Sequence, residues 1–362
     1  MTHASNIAVI GAGLAGLSAL YRLVYHYASN PVAQPPQFTI LDKSRGLGGR
    51  LATRRLPNEA AFDHGAQYIR ASDPGLLSLL DKACRHGHAA RWTAPIADGP
   101  PLTVDDERPR FIGKPGMSAL GRFMLGECDK VAKAGGLTIE RHRQAEITTM
   151  AHGDQGWLLE DQAGYQLGPY DLVILAIPAP QAAVLLDRVD GPIADHLKAL
   201  KTAATTPMVP CWSAMVAFEN ALDLKAPALQ PPKDSPLVWI ASSLRHEDQA
   251  KTMPKAWHGY VVHAGPEWSE KHLEQPADEV LEAMMAALSA TLGQALPTVV
   301  HKTAHRWRYA FAPDAGGRAC HGAEPARLIL AGDWCLGNRA EAAYLSGVAA
   351  ADMAIDMTGA TS

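Results

Sequence analysis

Apolar and small residues set the opening pattern of the chain. Asn6-Ile7-Ala8-Val9-Ile10 is a short apolar run of the kind that forms a buried strand. Gly11-Ala12-Gly13-Leu14-Ala15-Gly16 follows at once, and Leu14, Leu17, Tyr21, Val24 and Ala28 then recur at helical steps. The spacing predicts strand, glycine turn and helix in immediate succession. A second apolar run, Phe38-Thr39-Ile40-Leu41, ends at Asp42, after a connection that holds Pro31, Pro35 and Pro36. Further on, Ser118 reads as the N-cap of a helix that runs to about Ala134 and stops at Gly135-Gly136. Strands are expected over Thr138–Thr149 and Trp157–Glu160, with turns at His152-Gly153-Asp154 and Ala163-Gly164. Asp171–Ala176 reads as a buried strand that returns to the first domain and closes in Pro178-Ala179-Pro180-Gln181.

The pattern changes between about Pro192 and Pro325. Trp212, Trp239, Trp257, Trp268 and Trp307 all lie there, among strand-like stretches at Cys211–Phe218, Leu237–Ala241 and Gly259–Ala264. A helix is predicted near Ala277–Leu292. Leu328–Ala331 is again strand-like and runs into Gly332-Asp333, and an alanine-rich helix opens at Glu341-Ala342-Ala343-Tyr344-Leu345-Ser346-Gly347. These readings give an α/β chain with one discontinuous domain (1–75, 136–190 and 322–362) into which an α+β substrate domain (76–135 and 191–321) is inserted.

Composition narrows the function. The 362 residues are 47% hydrophobic and 19% charged, with a net charge of −4, so the chain has ample apolar material for a core and no basic field for nucleic acid or anionic lipid. Cys84, Cys128, Cys211, Cys320 and Cys335 form no CxxC pair, which excludes a redox dithiol and a disulfide framework. The most apolar stretch, Leu172–Leu186, is broken by Pro178, Pro180 and Gln181 and is too short to span a bilayer. A reducing cytoplasm is the expected location. His301 and His305 lie four apart but on an extended segment, so no metal site is expected.

The glycine turn carries the chemistry. Between a strand and a helix, Gly11 permits the tight turn, Gly13 lets a pyrophosphate approach the backbone, and Gly16 lets the helix pack on the sheet. The helix N-terminus then faces the phosphate charge, and Asp42 at the end of the second strand suits the hydroxyls of an adenosine ribose. Lys43-Ser44-Arg45-Gly46-Leu47-Gly48-Gly49-Arg50-Leu51 adds a second glycine loop and a guanidinium, able to neutralise a pyrophosphate from the other side.

An acid followed by Gly-Gly-Arg resembles the FAD-dependent oxidase superfamily that includes the amine oxidases. That resemblance implies a Rossmann-like FAD-binding domain of the amine oxidase/p-hydroxybenzoate hydroxylase type. It also implies that Gly65, Ala66 and Gln67, in the Asp63–Tyr68 loop, run along the flavin. Gly332 and Asp333 would meet the ribityl chain and phosphate, and the helix carrying Ala342, Leu345 and Ser346 would face the pyrimidine end. Leu14, Ala15, Lys43 and Leu51 complete the expected cofactor contacts. No flavin-linking cysteine follows Leu345-Ser346-Gly347, so FAD is expected to be non-covalent.

More narrowly, KSRGLGGRLATRR, DHGAQYI, LAIPAPQA, PCWSAMVAF, VVHAGPEWS, HRWRYA and AGDWCLGNRAEAAYLSG together resemble the renalase-like bacterial flavoproteins. The segment Trp239–Lys251 departs from that family's Lys-Pro-Gly-Arg-like turn. The resemblance implies oxidation of isomeric dihydronicotinamides, 2- or 6-dihydro-NAD(P), to NAD(P)+ through FAD. Dioxygen would be the final acceptor and hydrogen peroxide the product. Gln67, Tyr68, His263, Trp307 and Tyr309 are the expected substrate-side residues, with Arg306 and Arg308 facing away from Trp307 and Tyr309. The alternative is an amine oxidase of the same fold, with Tyr309 and Tyr344 caging a small amine.

Overall fold

The computed structural model describes residues 5–57, 60–98, 108–243, 253–254 and 256–359. Leu244–Lys251, most of the segment that departs from the renalase-like pattern, lies outside the described residues. The chain forms two compact units. One comprises Met1–Arg50, Gly121–Met208 and Phe311–Ser362, and the other Leu51–Leu120 and Val209–Ala310.

The first unit is built on a six-stranded sheet. Its order is His321–Ala323, Leu328–Leu330, Leu172–Leu175, Asn6–Ile10, Gln37–Asp42 and Thr138–Arg143. Every pairing is parallel except that of the edge strand His321–Ala323. Beyond Asn6 the central strands are apolar because both faces are covered, as a parallel sheet requires. One expected strand, Thr138–Thr149, is two. Gln144 adopts φ 58°, which ends Thr138–Arg143, and Ile147–Gly153 starts a separate antiparallel sheet with Gly156–Asp161 and Gln166–Tyr170. The prolines that close this strand also open a helix, Ala179–Asp187, because proline is tolerated in a first turn where no N–H is needed.

Two helices fix the glycine turn from one side. Leu14–Ser29 packs along Ala340–Thr358, tied by Tyr27 to Thr358 at 2.7 Å and by Arg22 to Asp352 at 2.7 Å. Their backbones approach so closely that a Cβ on Gly347 would lie 2.1 Å from the Ala15 carbonyl oxygen. A Cβ on Gly16 would lie 1.8 Å from the Gly11 carbonyl oxygen.

The second unit centres on another six-stranded sheet, ordered Val299–Phe311, Val209–Phe218, His258–Ala264, Leu237–Ser242, Ala228–Leu229 and Ile96–Ala97. One face buries Trp212, Ala214, Val216, Tyr260 and Val262 against Val280, Met284 and Leu288 of the helix Ala277–Leu292. The other face carries Met215, Ala217 and Val261, packed on Phe62 and Met253. The alternation follows from the two-residue strand repeat.

The boundary between units falls inside the helix Ser118–Gly135 rather than after residue 135. A Cβ at Gly121 would lie 3.1 Å from the Gly48 nitrogen, so the helix from there on packs with the nucleotide unit. Ser118 is the first helical residue rather than the cap. Asp63 accepts from the Met117 N–H at 2.8 Å and Thr53 from the Ser118 N–H at 3.1 Å, so the cap comes from elsewhere in the chain.

Gly347→Val should therefore cost roughly 2–3 kcal/mol or more of stability, because the clash is with backbone that cannot rotate away. Denaturant unfolding should show a lower midpoint with an unchanged slope.

Candidate active site

In the first unit, two glycine loops converge. Gly13 forms an isolated bridge with Gly48, and the Gly48 N–H donates to the Ala12 carbonyl at 2.8 Å. The helix Leu14–Ser29 begins at Gly13 with no side-chain cap and no acidic residue in its first turn. Its terminal N–H groups therefore present the positive end of the helix without a competing carboxylate. A Cβ at Gly13 would meet nothing within 4 Å, so the space beside this turn is open.

Asp42 holds the two loops in register. Its carboxylate accepts from the Ala12 N–H at 2.6 Å and from the Ser44 N–H at 2.6 Å, and each oxygen keeps a further lone pair for a ribose hydroxyl. Beside it lies a small recess, lined by Ile40, Leu47 and Leu125 on the apolar side and Arg141, His142 and Arg143 on the other. The sequence reading missed the recess because Thr138–Arg143 carries no motif. Its place at the sheet edge comes only from pairing with Gln37–Asp42.

Arg50 and Asp333, expected to act on separate parts of the cofactor, clasp each other. The guanidinium donates to both carboxylate oxygens at 2.7 and 2.6 Å, and Asp333 is buried. The pair neutralises the buried acid, so the Arg50 guanidinium is engaged within the fold. The Gly332 N–H donates to the Ser346 hydroxyl at 2.9 Å, which fixes this turn on the C-terminal helix. Ala342 and Leu345 lie on the same helix, while Lys43 points to Glu146 at 3.7 Å. Burial pushes the Cys335 thiol up to about 12, so it carries no thiolate at neutral pH.

Leu51, Gly65, Ala66 and Gln67 belong to the second unit. There, His64 is the hub. Its carbonyl accepts the Trp307 indole N–H at 2.8 Å and lies 3.3 Å from His263 Nε2, which must carry the proton if that bond forms. Its ring stacks on Trp307, with centroids 5.1 Å apart, and meets His305 edge-on at 4.8 Å. Tyr68 lies 5.4 Å from Trp92 and 5.8 Å from Trp239, and the Arg110 guanidinium sits 4.4 Å over Trp92. Buried Gln67 donates to the Asp63 carbonyl, inside the same loop.

Trp307 and His263 thus share one anchor, and Tyr68 joins the neighbouring aromatic group. Tyr309 shares a strand face with Trp307 by repeat, but among the described residues no ring contact joins it to the cluster. Arg306 and Arg308 both bind Glu274, and Arg306 lies over Trp212 on the helix-covered face. His64, Trp92 and Trp239 were not among the expected site residues. Nothing in the order of residues reveals that a backbone carbonyl at His64 is the shared acceptor.

Burial, then His305 and Arg54, lowers the His64 pKa to about 3, and burial with Arg54 lowers that of His305 to about 4. Both imidazoles are neutral at physiological pH.

The comparisons with known proteins agree with this geometry. Residues 9–83 match the NAD(P)-binding Rossmann-like domain, and residues 104–355 match the flavin containing amine oxidoreductase family. The chain belongs to the flavin containing amine oxidoreductases. Redox chemistry on FAD is what this family shares. The fold is similar to that of a protein from Exiguobacterium sp. 255-15 with a provisional protoporphyrinogen oxidase name (TM-score 0.71, 12% identity, 98% of this chain and 100% of that one). It is also similar to a putrescine oxidase solved with putrescine (TM-score 0.65, 12% identity, 99% and 100%). A third is cyclohexylamine oxidase from Brevibacterium oxydans IH-35A (TM-score 0.67, 10% identity, 98% and 100%). At such identities the likeness is one of fold. Among the described residues, no helix is long and apolar enough to cross a membrane.

Arg50→Met should lower stability by about 2–3 kcal/mol, since it strands a buried carboxylate while Arg50 itself is one-third exposed. Adding Asp333→Asn should restore part of that loss in a double-mutant cycle. The two histidines make a second, pH-dependent prediction. Their folded pKa values lie below the unfolded 6.5, so stability present above pH 6.5 is lost as pH falls toward 4. Thermal melting should drop on acidification over that window, and a His64→Gln, His305→Gln variant should show a flatter profile.

Proposed function

We propose that this enzyme oxidises isomeric dihydronicotinamides, 2- or 6-dihydro-NAD(P), to NAD(P)+, with dioxygen as final acceptor and hydrogen peroxide as product. The carrying observation is the neutral aromatic cluster of the second unit, in which Trp307 and His263 meet at the His64 carbonyl. Hydride loss from a dihydropyridine breaks one C–H bond and leaves an aromatic cation, with no proton to abstract. Such a reaction calls for stacking and orientation more than for a base. Burial, with Arg54 nearby, keeps His64 and His305 uncharged, so neither imidazole opposes the cation that forms. When bound, FAD supplies the two-electron acceptor that dioxygen reoxidises.

The first unit supports non-covalent FAD. The uncapped helix end and the open side of Gly13 suit the pyrophosphate, Asp42 suits the ribose, and the apolar side chains of Ile40, Leu47 and Leu125 beside it are assigned to the adenine. Gly332-Asp333 and the helix from Ala340 are assigned to the flavin half of the cofactor. In the second unit we assign His263, Trp307 and Tyr68 to the substrate, with Gln67 holding the loop and Tyr309 extending the aromatic face. Small amines, as in the putrescine and cyclohexylamine oxidases of the same fold, are the alternative substrates.

Anaerobic mixing with isomerised NADH should bleach the flavin at least about 100-fold faster than normal NADH does, a difference of ~2.7 kcal/mol in the barrier. Equal rates, or bleaching by an amine panel alone, would contradict the assignment. The rate with the isomers should stay level from pH 8 to about pH 5, because neither histidine gains appreciable charge there.

A further inference from the structure

Three residues stand abreast on the second unit's sheet. Ser213 pairs with His263 across one strand boundary, and Trp239 pairs with His263 across the next. All three point to the face that carries Met215, Ala217 and Val261, because they share the strand repeat of those residues. They form the layer just beyond that apolar patch, on the side where His263 reaches the His64 carbonyl.

This layer holds polar atoms without partners. Ser213 is fully buried, and its hydroxyl has no hydrogen-bond partner among the described residues. The buried Trp239 indole nitrogen has none either. A buried hydroxyl or N–H left unpaired costs about 1–3 kcal/mol, so its presence calls for a ligand that satisfies it. The available chemistry is specific. An indole N–H only donates, whereas a serine hydroxyl both donates and accepts. Neither is charged, so the row suits a neutral group carrying an acceptor and a donor side by side.

We infer that Ser213 and Trp239 recognise the primary carboxamide of the dihydronicotinamide ring. Trp239 donates to the amide oxygen and Ser213 accepts from the amide N–H. The ring is thereby fixed beside His263 and the Tyr68–Trp239 aromatic pair. The inference rests on the proposed substrate class and makes these two residues specificity determinants within it.

The test compares two borohydride-reduced dinucleotides on the FAD-loaded enzyme. One carries the carboxamide; the other is the 3-acetylpyridine analogue, which keeps the carbonyl oxygen but lacks the amide N–H. Ser213→Ala should raise KM about tenfold for the carboxamide form and leave the acetyl form unchanged. Trp239→Phe should raise KM for both. Ser213→Ala should also keep or raise the melting temperature, since it removes an unpaired buried hydroxyl, so the KM change is not one of folding; a lowered melting temperature would show that the hydroxyl is bonded within the fold and would overturn the row. An active wild type whose KM for the carboxamide form is unmoved by Ser213→Ala overturns the amide row alone. A wild type inert toward both dinucleotides overturns the substrate reading, and the row with it.

Discussion

The nucleotide unit depends on a backbone contact that tolerates no side chain. Gly16 rests on the Gly11 carbonyl, and Gly347 rests on that of Ala15. These two approaches bring the first helix down onto the turn and lock it against the C-terminal helix. Everything that suits a dinucleotide follows from that placement. The helix end is uncapped, the space beside Gly13 is open, and Asp42 can reach both the Ala12 and Ser44 amides. A bulkier residue at either contact would move the helix end and with it the amides proposed to face the phosphate.

The second unit solves a different problem, the orientation of flat groups. It anchors two side chains from distant strands on one carbonyl, that of His64. A backbone acceptor is a stiff reference point because Asp63, one residue earlier, is itself held by the Thr53 hydroxyl and the Met117 amide. The loop that reads DHGAQY in sequence is thus a bracket, braced at Asp63, with its ring and carbonyl at His64 turned to the aromatic cluster. Burial keeps the imidazoles neutral, so His64 and His305 offer stacking surface and hydrogen bonds without charge of their own.

Much of the first unit was legible in sequence because its signals are local. The run Asn6–Ile10, the glycine turn, the periodic helix and Asp42 appear where the spacing predicted them. The helix Ala277–Leu292 also lies where it was expected. What stayed hidden was non-local. Thr138–Arg143 looked continuous with the next strand because φ at Gln144 leaves no trace in residue type. The Arg50–Asp333 clasp joins residues from opposite ends of the chain, each of which had been given its own role. Ser213 and Trp239 gained meaning only once strand register set them beside His263.

The claim on which the account turns is that the first unit holds FAD without a covalent link. The decisive measurement is the absorption spectrum of the purified protein, followed by acid precipitation and analysis of the supernatant. A yellow protein that releases stoichiometric FAD into the supernatant is expected. A colourless protein that takes up no added FAD, or a flavin that stays with the precipitate, would contradict it.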